Sequence, residues 1–218
     1  MNNLKNIIVF LLCVFVNYTI AKDINITNGK TYFSVTDKSI TNFTFINSVS
    51  DIQAVIVKTE ERNFVKLVIP SYGSDSKNGD AELPVLQKLI RIPFGSDISF
   101  NILNKEEEII NLSDFGYDLD VFPNQPSISK DENAEQVPFY YNNQYYNIND
   151  FIGNNLIKTQ LLGKMRGQQL ARLSVSPISY NPVTNQLKII TKIEVIKVCN
   201  LYSTFNFYRK KSILFFYI

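Results

Sequence analysis

The clearest pattern in the chain is an alternation of apolar and polar residues between positions 163 and 198. Apolar residues occupy every second position in residues 171–175, and this spacing recurs in residues 187–195. A period of two is typical of a β-strand with one buried side and one side in water. Asn181 and Pro182 separate the two runs and favour a tight turn, because proline presets φ and the asparagine side chain bonds nearby backbone. The pattern predicts an antiparallel hairpin.

Four other β-branched or aromatic runs predict two further hairpins. The first would pair residues 54–58 with residues 64–69, and the second would pair residues 89–92 with residues 97–103. The turn of the second hairpin would lie at Pro93 and Gly95. Residues 104–108 are charged and turn-like, and residues 109–112 are apolar enough for an edge strand.

Helical and loop signals are few. Asp150 is placed to cap a short helix that would run through Leu162, because the apolar residues between them lie loosely at helical spacing. Residues 122–136 contain two prolines, many polar residues and no apolar period, so we expect an exposed, mobile loop. The fold class expected is all-β, an antiparallel, jelly-roll-like β-sandwich with at most one short helix.

The first 21 residues have the features of a secretory signal peptide. Lys5 precedes an apolar run over residues 7–16, and small residues precede a cleavage point after Ala21. The run is about half of the roughly 20 apolar residues needed to span a bilayer. Cys13 follows Leu12 rather than a small residue, which disfavours a lipoprotein. We expect export to a bacterial periplasm, cell surface or medium, without a stable membrane anchor after cleavage.

The remaining chain divides into a β-sandwich domain and a tail. The domain would span residues 22–198, where the strand patterns lie. From Cys199 the alternation stops, and residues 213–218 are purely apolar. We expect residues 199–218 to be an atypical tail that arose by truncation or frameshift.

Composition excludes several classes of function. The 218 residues include 22 Lys and Arg against 20 Asp and Glu, mixed along the chain, which argues against a nucleic-acid partner. The chain contains no histidine, which excludes Ser-His-Asp and Cys-His catalysis and histidine metal sites. After cleavage Cys199 is the sole cysteine, so no disulfide forms within the chain. We expect neither an enzyme nor a cofactor.

Two groups of carboxylates are candidates for calcium binding or acid–base chemistry. Asp118 and Asp120 alternate on a predicted strand, and residues 106–108 are three consecutive glutamates. Neither group has the glycine-punctuated loop of a calcium site, and a glutamate run is more often solvated surface. The prediction for metal binding is therefore none.

Arginines and tyrosines offer recognition chemistry instead. Arg166 and Arg172 lie near a turn and a strand start, where they would either bind a partner's carboxylate bidentately or form ion pairs on the solvent-facing side. Four tyrosines would either stack on sugars or pack into the fold, and packing is the commoner outcome in β-rich proteins. They are Tyr140, Tyr141, Tyr145 and Tyr146.

Three segments in fixed order resemble the N-terminal prodomain of the gingipain-type cysteine peptidases, peptidase family C25. Residues 82–95, E-L-P-V-L-Q-K-L-I-R-I-P-F-G, are similar to the family's leucine-proline strand and its isoleucine-proline-x-glycine turn. Residues 165–175 resemble its arginine-glycine turn and strand, and residues 177–195 resemble its tyrosine-asparagine-proline hairpin. The match spans residues 52–198. Its motif residues are Leu83, Pro84, Pro93, Gly95, Arg166, Gly167, Pro177, Tyr180, Asn181 and Pro182.

The resemblance implies a secreted, non-catalytic prodomain. In the family such a domain assists folding of the cysteine peptidase catalytic domain and holds it latent, with a basic residue on a loop in the active-site cleft until proteolysis. That partner is joined in cis in the family, and its catalytic domain is absent from this sequence. The blocking residue does not transfer by motif; on position and charge we expect Lys130, in the loop of residues 122–136. The alternative is a free-standing envelope module that binds glycan or protein through the tyrosines.

Overall fold

The computed structural model describes residues 22–36, 39, 42–60, 62–128 and 137–201. This part of the chain is built from β-strands, with one 3-10 turn at Leu112–Phe115 and one α-helical turn, α1, at Asn143–Tyr146. The strands are β1 Lys22–Asn25, β2 Tyr32–Thr36, β3 Asn42–Ser48, β4 Asp51–Lys58, β5 Asn63–Val68, β6 Gly73–Ser74, β7 Pro84–Ile92, β8 Ser96–Asn111, β9 Ile157–Met165, β10 Gln168–Val175, β11 Ile178–Asn181 and β12 Gln186–Leu201.

The strands form three sheets whose ladders are antiparallel. One sheet has the order β1-β4-β5, a second has the order β6-β7-β10-β9, and a third has the order β11-β12-β3-β2 with β8 also paired to β12. Lys192 of β12 pairs with Ser48 of β3 and with Glu106 of β8, so β12 lies between those two strands. The second and third sheets pack face to face through a shared apolar cluster. The expected all-β, antiparallel β-sandwich is confirmed.

Two large apolar clusters and a smaller one hold these layers together in the described part of the chain. The first lies between the facing sheets and contains Phe45, Leu173 and Val195 from β3, β10 and β12. The second lies under the β1-β4-β5 sheet and includes Val65 and Tyr180. Fully burying one such large side chain contributes about 1.5–3 kcal/mol.

One predicted hairpin is confirmed and another is only partly correct. Strands β4 and β5 pair as expected, with Val57 opposite Phe64. The turn at Asn181 and Pro182 joins β12 to the short strand β11, whereas residues 171–175 belong to β10 in the opposite sheet. Pro177 marks this change of sheet, because proline has no N–H with which to continue the β10 ladder.

The predicted hairpin of residues 89–92 with 97–103 is wrong. Strand β7 pairs with β6 and β10, while β8 pairs with β12, so the turn at Pro93 and Gly95 carries the chain from one sheet to the other. The predicted turn at residues 104–108 is also wrong, because β8 is continuous and its pairing with β12 extends through those residues. A period-two pattern identifies which side of a strand is buried but not which strand lies beside it.

The predicted helix from Asp150 to Leu162 is wrong as well. Strand β9 begins at Ile157, and the Asp150 side chain accepts a hydrogen bond only from the adjacent Phe151 N–H, at 2.7 Å, among the described contacts. The helical turn is α1, capped instead by Asn142. Strand β12 continues to Leu201, past the end of the sequence pattern. The signal peptide, most of the predicted tail and residues 129–136 lie outside the described residues.

Candidate functional site

Lys130, the candidate blocking residue, lies outside the described residues, but the chain on either side of it is described. The side-chain amide of Gln125 joins the two sides. Its Nε2 donates to the Tyr140 carbonyl oxygen at 2.9 Å, and its Oε1 accepts from the Tyr140 N–H at 3.0 Å. The amide thus makes the two bonds that a hydrogen-bonded strand neighbour would make. The segment of residues 126–139 is therefore closed at its base. We call this base, which consists of residues 124–125 and 140–142, the loop stem.

Gly79 fixes the loop stem to the body of the domain. Its N–H donates to the Asn124 carbonyl at 2.8 Å, and its carbonyl accepts from the Asn142 N–H at 2.9 Å, so it bridges the two sides of the stem. Gly79 has a φ of 86°, and a Cβ atom there would lie 3.0 Å from the Asn142 nitrogen. Both the positive φ and the close approach require glycine. The Asn142 amide also donates to Asp80 at 2.7 Å.

Four aromatic rings support the loop stem. Phe64, on β5, lies 5.9 Å from Phe122 in an edge-to-face arrangement, 5.6 Å from Phe139 and 6.1 Å from Tyr141 between ring centroids. Aromatic pairs at these separations contribute about 0.5–1.5 kcal/mol beyond the burial of their area. We call Phe64, Phe122, Phe139 and Tyr141 the stem aromatic cluster. It packs rings from both sides of the loop stem against one strand.

Arg62 covers the stem aromatic cluster on its solvent side. Its guanidinium carbon is 3.9 Å from the centroid of the Tyr141 ring and 5.0 Å from that of Phe64. It also pairs with Asp120 at 3.3 Å, and the Tyr141 hydroxyl donates to the same carboxylate at 3.1 Å. Burial, followed by the charge of Asp120, raises the pKa of Tyr141. The Asp120 carboxylate therefore already binds the Arg62 guanidinium and the Tyr141 hydroxyl.

The other candidate carboxylates lie on an exposed surface. Glu107 pairs with Lys105 at 2.8 Å, and Glu106 lies 3.9 Å from Lys192. The hydrogen bond and charge of Lys105 lower the pKa of Glu107. Within the described ranges, no group of three or more His, Cys, Asp or Glu residues is arranged to hold a metal ion, and this includes the region of Asp118.

The four tyrosines do not form a common sugar-binding platform. Tyr145 and Tyr146 are buried in the core, and the Tyr146 hydroxyl donates to the Val121 carbonyl at 2.6 Å. Burial raises the pKa of both side chains. Tyr141 stacks on Tyr146 with centroids 4.3 Å apart and covers it. Tyr140 is the member with a widely exposed side chain, at 43%. Packing is therefore the main role of this group.

The motif residues of the family resemblance lie at turns and in the core. Arg166 and Gly167 have φ of 49° and 76° and form the two-residue turn between β9 and β10, as in type I′ hairpins. Tyr180 is fully buried, and Asn181 accepts bonds from the N–H groups of the next turn at 3.1 and 3.3 Å. The others lie at the start or end of strands: Leu83, Pro84, Pro93, Gly95, Pro177 and Pro182.

Two residues singled out in the sequence have contrasting surroundings. Cys199 is buried and packs with Ile92 and Ala171, so its environment is structural. Arg172 is exposed on β10, where its direct neighbours on the flanking strands are Leu89 and Gln160. In the described part of the chain Arg172 forms no ion pair. The expectation that it pairs with a carboxylate on the solvent-facing side of its own domain is therefore wrong within these residues.

Sequence reasoning missed the residues that build the loop stem. Gln125 lies in a polar, proline-containing run and carries no pattern that distinguishes it from its neighbours. Arg62 lies in a predicted turn. Gly79 was detectable in principle, since an Asn-Gly-Asp triplet commonly marks a positive φ.

Comparison with known proteins identifies the fold. A solved structure concerned with the zymogenic latency of gingipain K from Porphyromonas gingivalis superposes with a TM-score of 0.79 at 30% identity, covering 84% of this chain and 100% of that one. The complex of the RgpB pro- and mature domains from the same organism gives a TM-score of 0.65 at 18% identity, covering 82% of this chain and 93% of that one, and supports the fold alone. The fold is that of a propeptide domain, a class that is not itself catalytic.

Comparison of the sequence with known proteins points to the same class of domain as the comparison of structures. The family model Propeptide_C25 matches residues 18–211. Lys-gingipain of Porphyromonas gingivalis is 31% identical over 178 residues, 82% of this chain, and Gingipain R2 is 35% identical over 80 residues, 36% of this chain. The chain spans 10% of the length of each of these relatives. The chain belongs to the Propeptide_C25 family, which confirms the resemblance to gingipain prodomains.

Proposed function

We propose that this chain is an exported prodomain that binds the catalytic domain of a gingipain-type cysteine peptidase, assists its folding and keeps it latent. Residues 126–139 would enter the active-site cleft, and Lys130 would occupy the pocket for the substrate's basic side chain. The observation that carries this proposal is the loop stem, in which Gln125 closes the two ends of that segment on each other. Membership of the propeptide family and the non-catalytic fold support it.

The loop stem is suited to this role for an energetic reason. A segment that must be ordered on binding loses conformational entropy, and the loss is smaller when its ends are already fixed. Gly79 ties both ends to the domain, and the stem aromatic cluster packs beneath them. If the prodomain and the catalytic domain are joined in one polypeptide, the tether raises their effective concentration to the millimolar range.

Export is the second part of the proposal. The signal-peptide pattern of the first 21 residues supports it. Among the described residues, the structure contains no helix with the length and apolar character required to cross a bilayer.

The test is inhibition of the Lys-gingipain catalytic domain by the purified chain starting at Lys22. Lys130→Ala should raise the inhibition constant by about two orders of magnitude, since a charge that fills a specificity pocket is a binding hot spot. Lys77→Ala is the matched control, because Lys77 is an exposed lysine in the neighbouring loop. Equal inhibition by the wild type and Lys130→Ala would refute the role of Lys130. No inhibition by the wild type would refute the prodomain function.

A further inference from the structure

The sheet β6-β7-β10-β9 has an uneven charge distribution that is not apparent from the chain as a whole. Residues 84–92 and 157–175, which form β7, β9, β10 and the turn between the last two, include basic residues and not a single Asp or Glu. The basic residues are Lys88, Arg91, Lys158, Lys164, Arg166 and Arg172. Basic residues are thus gathered in this sheet, although along the sequence they seemed mixed with acidic ones.

Part of this charge lies on the side of the sheet that faces away from the sandwich. Leu173 and Val175 point into the core, so the alternate residue Arg172 points outward. Cross-strand register places Leu89 and Gln160 beside Arg172, and it places Arg91 and Lys158 on the same side. We call this surface the basic face; its members are Leu89, Arg91, Lys158, Gln160 and Arg172.

The basic face combines cations with an exposed apolar side chain. Leu89 is 61% exposed beside Arg172. Arg91 is hydrogen-bonded to Gln168 at 3.2 Å, and in the described ranges neither it nor Arg172 forms an ion pair. Arginine next to exposed apolar area is typical of the central part of protein interfaces, and its guanidinium binds carboxylates bidentately. Binding to a polyanion or to a layer of lipid headgroups would use the positive charges but would not need the exposed Leu89 side chain. The combination therefore favours a protein partner.

We propose that the basic face is a second docking surface for the peptidase catalytic domain, and that it binds a patch of carboxylates around an apolar centre. The inference rests on the proposed function. It also rests on the continuity of the two surfaces: Lys158 pairs with Asp75 at 3.5 Å, and Asn124 of the loop stem donates to the adjacent Ser76 carbonyl at 2.8 Å. One partner can therefore contact the loop stem and the Lys158 end of the basic face together.

The experiment separates this surface from the loop by blocking the cleft. Binding of the full chain is measured to the Lys-gingipain catalytic domain whose active site carries a covalent peptidyl inhibitor. Arg172→Glu should weaken this binding about tenfold and reduce its dependence on salt, because a charge at an interface acts through long-range attraction. Leu89→Ser should also weaken it. Lys30→Glu, the same charge reversal at an exposed site outside the sheet, should leave it unchanged, and melting temperatures verify that each variant folds.

The outcomes distinguish the two proposals. Inhibition of the unblocked enzyme without binding to the blocked enzyme overturns the second docking surface and leaves the prodomain function standing. Equal effects of Arg172→Glu and Lys30→Glu also overturn it. Loss of binding to phosphatidylglycerol vesicles in Arg172→Glu, with unchanged binding to the blocked enzyme, assigns the face to an anionic membrane and overturns it. Absence of both inhibition and binding overturns both proposals.

Discussion

The side chain of Gln125 hydrogen-bonds both backbone groups of Tyr140, at 2.9 and 3.0 Å, and thereby closes residues 126–139 into a loop. The two bonds differ in kind, since one uses the amide as donor and the other uses it as acceptor. Nε2 also donates to the Pro123 carbonyl at 2.9 Å. An isosteric change can therefore remove the bonds that Nε2 donates while it keeps the acceptor bond and the shape of the side chain.

Gln125→Glu should open the loop stem. A carboxylate still accepts from the Tyr140 N–H, but it cannot donate to the Tyr140 carbonyl and would place two oxygens against each other. Because these bonds are exposed to solvent, the loss amounts to about 0.5–1.5 kcal/mol and acts on the loop stem rather than on the whole domain. We expect faster cleavage within residues 126–139 in limited proteolysis and weaker inhibition of Lys-gingipain, with global unfolding little changed. Gln144→Glu, an exposed glutamine on α1, is the control. Identical cleavage of both variants would show that the bond does not restrain the loop.

Gly79→Ala should destabilise the domain by about 1–3 kcal/mol, the usual cost of forcing a side chain into the left-handed region. The added Cβ would also lie 3.0 Å from the Asn142 nitrogen and push the two sides of the stem apart. Gly29→Ala is a matched control, because its nearest neighbours are 3.6 and 3.8 Å away and its φ is ordinary. Urea denaturation of both variants measures the difference, and equal stabilities would contradict the role assigned to Gly79.

The sequence pattern predicted which residues form strands better than it predicted which strands pair with each other. Residues 171–175 and 187–195 do alternate as strands, yet they lie in facing sheets, because the chain changes sheet at Pro177. The apolar pattern does not encode this change, since both strands present an apolar side to the core that lies between them; its local signal is Pro177, which has no N–H to continue the β10 ladder. The same reason explains the failure of the hairpin predicted at Pro93 and Gly95.

The functional surfaces were harder to predict than the fold. The prediction of an exposed loop over residues 122–136 is wrong at its start, because Phe122 packs on Phe64 and Pro123 is buried beside Ala81. The closure at Gln125 and Tyr140 joins residues that are 15 positions apart and carry no periodic signal. The basic face could not be predicted from the sequence, because β7 is separated from β9 and β10 by more than sixty positions in the chain. Charge mixing along a sequence does not imply mixing on a folded surface.

Tyr72 should make stability depend on alkaline pH. Burial raises its pKa to about 12, and its hydroxyl donates to Asn47 at 2.7 Å. Above pH 10 the unfolded state loses this proton and the folded state keeps it, so the free energy of unfolding falls by about 1.4 kcal/mol per pH unit until pH 12. Tyr72→Phe should be less stable at pH 7, because it loses the hydrogen bond. Its disadvantage should shrink by roughly 2 kcal/mol between pH 10 and 12. A constant difference in urea titrations over this range would contradict the proton linkage.

Among the described residues strand β8 pairs with β12 alone, and its glutamates should keep the other edge from pairing with a second chain. Residues 101–109 of this strand are exposed, and it pairs with β12 on one side across two register shifts. Charges and bulges on an edge strand oppose pairing with another chain. Replacing Glu106, Glu107 and Glu108 by glutamine should therefore produce dimers or larger species in size-exclusion chromatography with light scattering.

The control for the β8 variant removes the same charge elsewhere. Asp23→Asn, Glu60→Gln and Asp118→Asn together neutralise three carboxylates at exposed positions outside β8. Both triple variants have the same net charge, so a general effect of charge on solubility would appear in both. Because exposed ion pairs contribute little to stability, folding should be unaffected in either. Self-association confined to the β8 variant supports edge protection, whereas equal behaviour of the two variants contradicts it.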